Sequence, residues 1–152
     1  DQQSCREAHN LLGHFLLDQS RRDEAKGHYT QALQLARMLE SGGHVLESQV
    51  GLASIALAEG DAAAALLLLG DEWEHIDEAL LAQTEDIVRL YWSIYRILIA
   101  NHAARADVML AAACSHLQGQ VAQIADPDAR QAFLVISIHR ALGEVCTGGD
   151  DL

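Results

Sequence analysis

Leu12-Gly13-His14-Phe15-Leu16, followed by Ala25, Tyr29 and Ala32, is the stretch on which the reading of the fold turns. Counted from Gly13, the residues Leu16, Ala25, Tyr29 and Ala32 lie three, twelve, sixteen and nineteen positions on. A hairpin of two helices explains this spacing. Gly13 and Ala25 are small where the two helices would cross closely, Leu12, Leu16 and Tyr29 fill the space around the crossing, and Ala32 lets a following hairpin stack.

The frame recurs. Leu52-Ala53, Ala56, Gly60-Asp61, Ala65 and Leu69 repeat it, and so do Ile94, Ile97, Asn101, Ala106, Leu110 and Ala113. The anchors Ala25, Ala65 and Ala106 are 40 and 41 residues apart, longer than the period of about 34 residues usual for such hairpins. Turns within the hairpins fall at 19–23, Gly60-Asp61 and Asn101-His102, and Ser41-Gly42-Gly43 reads as the break between the first two. This predicts an all-α chain of seven helices, at about 4–18, 22–40, 45–59, 61–75, 85–101, 103–122 and 127–146, with 76–84 a short helix or an extension of a neighbour. Asp126-Pro127 supplies a cap and a first-turn proline for the last helix. One domain of three hairpins is expected, at about 6–39, 46–79 and 87–120, with a capping helix at 127–146 and a flexible tail at 148–152.

These hairpins resemble tetratricopeptide repeats. The stretch from Ile76 to Val145 adds Leu90-Tyr91-Trp92, Tyr95-Arg96-Ile97-Leu98, Ala111-Ala112-Ala113, Ala122-Gln123-Ile124-Ala125-Asp126-Pro127 and Phe133-Leu134. That order is similar to the C-terminal tetratricopeptide region of large bacterial signalling ATPases and transcriptional regulators. The resemblance implies a right-handed α-solenoid. It also implies a non-catalytic, cytoplasmic sensor or scaffold segment of a larger bacterial regulator, binding a peptide or a neighbouring domain in its concave groove. Ile94 and Glu72 depart from the pattern, which has small residues there. No GxxxxGK[ST] phosphate loop is present, so a nucleotide-hydrolysing module would be a separate part of the parent protein.

Composition supports helix independently. Half of the 152 residues are hydrophobic but only 5% are aromatic, and Ala and Leu dominate. The net charge is −12, from 10 basic and 22 acidic residues. With no basic run, that argues against nucleic acid or an anionic membrane surface as partner. The longest apolar stretches, 62–69 and 87–100, are too short to span a bilayer. No secretory leader opens the sequence, and its start at Asp1 reads as a piece cut from a longer chain. Cys5, Cys114 and Cys146 are an odd number without a CxxC, so they read as separate thiols in a reducing cytoplasm.

No catalytic constellation, cofactor motif or metal motif emerges. Eight histidines are scattered with no pair at i,i+4 and no HExxH. Ser54 and Ser93 sit mid-helix without an adjacent base. The acidic run Asp71, Glu72, Glu74, Asp77, Glu78, Glu85 and Asp86 reads as an exposed connection, or else as a landing site for a basic segment. The repeat frame itself nominates a site. The first helix of each hairpin faces the concave side, which places Asn10, His14 and Leu17, then Val50, Ser54 and Leu57, then Tyr91, Tyr95 and Leu98 in the groove. The set is nearly neutral, suits an apolar or amphipathic peptide, and offers Tyr91 and Tyr95 as anchors. It lacks the basic residues needed to grip a C-terminal carboxylate. Two alternatives remain: a homodimer or assembly segment built on the apolar last helix, and a small-ligand sensor with a closed pocket near Tyr91, Trp92 and Tyr95.

Overall fold

The computed structural model describes residues 1–147, which form nine α-helices and a 3₁₀ turn, with no strand among the described residues. The expected tail at 148–152 lies outside them. Aspartates start five of the helices: the side chains of Asp1, Asp61, Asp77, Asp86 and Asp126 each accept a hydrogen bond from the backbone N–H three residues on. Each satisfies one of the amide groups that a helix start leaves without a partner.

Four helix ends share one device. Ser20, Glu40, Gly60 and His102 all adopt left-handed backbone, with φ of 60°, 52°, 88° and 51°. In each case this residue and the next donate their N–H groups back to carbonyls of the last helical turn, which satisfies acceptors the helix would otherwise leave open. The break expected at Ser41-Gly42-Gly43 needs correction. The chain turns at Glu40, and both glycines lie in the first turn of the next helix. Gly43 is small for a packing reason, since a Cβ there would sit 2.5 Å from the Leu80 carbonyl oxygen.

The helices pair in sequence. Helix α1 (Gln2–Asp18) lies on α2 (Arg22–Met38), and α3 (Gly42–Ala58) packs on α2 and on α4 (Ala62–Leu69). The 3₁₀ turn Glu72–His75 and the short α5 (Glu78–Leu81) lead to α6 (Ile87–Ala100), which rests on α3 and α4 and pairs with α7 (Ala106–Ala122). Then α8 (Pro127–Leu134) leads to α9 (Ser137–Thr147), which packs on α7. This is an all-α array of helical hairpins. Ala25, Ala65 and Ala106 are all buried in the first turn of the second helix of a pair.

Two expected helices are shorter than the sequence suggested. The helix expected at 61–75 stops at Leu69, because Gly70 turns left-handed at φ 67° and Trp73 then folds back, its Nε1–H donating to the Gly70 carbonyl at 3.1 Å. The helix expected at 127–146 breaks at Val135-Ile136, where His139 Nδ1 lies 2.9 Å from the Phe133 carbonyl oxygen and its ring stacks on that of Phe133. Leu12, expected at the α1–α2 crossing, is exposed together with Phe15.

Tyr29 is the centre of the first crossing. It is fully buried, and a Cβ on Gly13 or on Gly51 would approach its ring to 2.7 or 2.5 Å. The ring is therefore clamped between the backbones of α1 and α3. The rest of the core is one continuous apolar cluster running from Leu46 on α3 through Ile94 and Ile97 on α6 to Leu142 on α9. Cys114 and Cys146 form a disulfide joining α7 to α9, 32 residues apart in sequence, which corrects their reading as separate thiols; Cys5 is free and exposed.

Candidate functional site

Helices α1, α3, α6 and α9 all contribute to one open cavity of about 240 Å³. Leu17 and Asp18 line it from α1, and Ser54 and Leu57 from α3. Arg89, Trp92, Ser93 and Arg96 come from α6, and Ile138 and Ala141 from α9. The walls are mainly aliphatic and aromatic, with Trp92 stacked on Tyr95 at 5.3 Å between ring centroids. Two guanidinium groups border them. Arg89 makes a two-pronged pair with Asp18, at 3.1 and 2.7 Å, whereas Arg96 has no ion-pair partner among the described residues.

The other half of the inner face is filled by the chain itself. The segment between α5 and α6 crosses the N-terminal halves of α1 and α3, so Glu85 and Asp86 are not part of an exposed acidic run; Asp71, Glu72, Glu74, Asp77 and Glu78 are exposed, as expected. Glu85 receives Arg6 Nη1–H at 2.6 Å and Asn10 Nδ2–H at 3.1 Å. Glu47 Oε1 accepts the backbone N–H groups of Glu85 and Asp86 at 3.0 and 2.9 Å. His14 Nδ1 lies 2.7 Å from the Tyr29 hydroxyl.

Burial governs the titration of this cluster. It pulls His14 down to about 3, helped by the positive charge of Arg89, so the ring is neutral and exchanges a hydrogen bond with Tyr29 as a neutral partner. Burial also pushes the Tyr29 hydroxyl upward. Glu47 is pushed up to about 7 by burial, against the two backbone N–H donors that favour its ionised form, and with Glu85 and Asp86 adding to the rise.

The nine residues nominated from the repeat frame therefore separate. Leu17, Ser54 and Leu57 line the open cavity. Asn10, His14 and Val50 are buried, the first two inside the polar cluster under the connector. Tyr91 is buried and stacks on His116 of α7, Leu98 is wholly inside the core, and Tyr95 is half-buried against Trp92. On α6 the groove face is set by Arg89, Trp92, Ser93 and Arg96 instead. The frame missed this because the left-handed residue that ends α6, His102, follows the anchor Ile94 by eight positions, whereas Ser20 follows Gly13 and Gly60 follows Ala53 by seven, so the inner face of α6 lies one residue later than the frame places it. No family model, curated protein or solved structure gives a significant match to the chain.

Proposed function

We propose that the chain is a tetratricopeptide-like protein-binding unit without chemistry of its own, and that it grips a peptide or a neighbouring domain in the cavity bounded by α1, α3, α6 and α9. One observation carries this reading: an open, mainly apolar cleft of about 240 Å³ built from four successive inner helices, with Arg96 at its border. Apolar walls supply contact area, and an unpaired guanidinium supplies orientation. The preferred ligand is therefore a short amphipathic segment carrying an acidic residue beside its apolar anchors. The order of the repeats favours a segment of a bacterial signalling or transcription-regulatory protein.

A peptide array probed with the chain tests this. Binders should share apolar residues with one acidic neighbour, and Leu57→Arg and Arg96→Glu should each weaken them at least tenfold. An array with no binder, or binders indifferent to both substitutions, would refute the reading. A second reading, self-association, is favoured by Leu11, Leu12 and Phe15, which are exposed close together on α1. Light scattering separates the two, since a monomer at high concentration excludes it. A closed small-ligand pocket is disfavoured, because the Tyr91 and Tyr95 rings pack on His116 and Trp92.

A further inference from the structure

His44 and Glu47 are three residues apart on α3, so their side chains leave the same face of the helix. The connector returns Glu85 to that face. A ring nitrogen of His44 and one carboxylate oxygen from each of Glu47 and Glu85 all lie within 4.8 Å of one another. His44 is already oriented. Its Nδ1 lies 2.6 Å from Ser41 Oγ, while its Nε2 faces Glu85 Oε1 at 4.0 Å. A histidine that holds a metal through one nitrogen is commonly fixed by a hydrogen bond at the other.

A second observation points to a ligand. Glu47 is 3% exposed, its Oε1 is satisfied by two backbone N–H groups, and its Oε2 has no partner among the described residues. Asn10, which donates to Glu85, is 1% exposed, and its Oδ1 is likewise without a partner. Buried oxygens of this kind are costly unless something supplies positive charge or a donor. Arg6 answers only part of that demand, since its contact is to Glu85 Oε1. Glu47 has no cationic partner among the described residues, which leaves a place for a cation. A cleft of about 410 Å³ bordered by Arg6, Ser41, His44 and Gln83 gives access from solvent.

We propose that His44, Glu47 and Glu85 form a binding site for a divalent transition-metal ion of the zinc class. One imidazole with two carboxylates suits zinc, cobalt or manganese, whereas calcium requires more oxygen ligands. The absence of an i,i+4 histidine pair hid the site in the sequence, because two of its ligands are glutamates and one comes from a connector. A bound ion would fasten that connector to α3.

The test uses the full chain carrying Cys5→Ser, stripped with chelator and titrated with zinc by calorimetry, with cobalt absorption as a second readout. One zinc per chain and a raised melting temperature are expected. Glu47→Gln keeps an acceptor for the two backbone N–H groups, so it should fold yet bind zinc at least tenfold more weakly. His44→Ala should do the same, and His9→Ala should leave binding unchanged. No saturable binding, or binding that survives both Glu47→Gln and His44→Ala, would overturn the proposal.

Discussion

Around Tyr29, polar groups tie the two helices of the first hairpin to each other and tie α1 and α3 to the connector before α6: a buried histidine–tyrosine pair, the Arg6–Glu85 ion pair, and the Glu47 carboxylate holding two backbone amides. Around Ile94, helices α6, α7 and α9 meet through Ile97, Leu98, Met109, Leu117 and Leu142, all buried. The hairpin frame is the same, but the glue differs. In the front half, Gly13 and Gly51 leave space for a tyrosine with a hydroxyl that needs a partner, and the connector brings acids that need cations. In the back half, side chains without polar atoms need only fit. The first kind of contact fixes position; the second tolerates adjustment.

Removing one partner of the buried ion pair should have the largest effect. Glu85→Ala leaves Arg6, which is 2% exposed, without its carboxylate, and should cost about 3–5 kcal/mol in urea denaturation. Replacing both, as Arg6→Met with Glu85→Leu, should recover most of that loss. A single substitution costing under about 1 kcal/mol would mean that water reaches the pair and the front half is not held as described.

The glycines give the next contrast. Gly51→Ala forces a methyl group against the Tyr29 ring and should cost about 1–3 kcal/mol, since a Cβ at that position would approach the ring to 2.5 Å. Gly119 on α7 has nothing within 4 Å of such a Cβ, so Gly119→Ala should instead stabilise by about 1 kcal/mol through helix propensity. Equal effects at the two positions would remove the distinction between a clamped crossing and an open helix face.

Acid titration probes the front half alone. The Glu47 carboxyl, moved from 4.5 to about 7, binds more protons folded than unfolded, so its contribution to stability grows as pH falls from about 7 to 4.5. His14, moved from 6.5 to about 3, binds fewer protons folded, so its contribution is lost as pH falls below 6.5. Between these limits the two slopes oppose each other. In chelator, Glu47→Gln should therefore uncover a loss of about 1.4 kcal/mol per pH unit below pH 6.5. His14→Gln should uncover the opposite slope. Leu142→Ala, in the back half, should lower the whole curve without tilting it.

The sequence carried the hairpins well, because small residues and turns recur at intervals that only stacked helix pairs explain. It could not carry the site as fully. Leu17, Ser54 and Leu57 were legible from the frame, since α1 and α3 are joined by a plain turn to their partners. Arg89, Trp92 and Arg96 were not, because the α6–α7 connection departs from that plain turn, and the anchor Ile94 falls one residue too early for the inner face of α6. The burial of Glu85 was also hidden: an acid in an acidic run reads as solvated until tertiary structure brings Arg6 to it from 79 residues away. Cys114 and Cys146 lie 32 residues apart, and their pairing needs the break between α8 and α9, which no local signal marked.

The smallest effect concerns what the two halves share. Ser20 ends α1 and His102 ends α6 with the same left-handed turn that Gly60 provides for α3. A side chain in that conformation is strained by contact with its own backbone, and glycine is not. Ser20→Gly and His102→Gly should therefore each raise stability by about 0.5–1 kcal/mol, and Gly60→Ala should lower it by a similar amount. Thermal melts of the three variants measure this directly. Agreement between Ser20 and His102 would show that the caps are one repeated element whatever fills the space between the helices. A gain at one and a loss at the other would mean that the polar and apolar halves differ in their turns as well as in their cores.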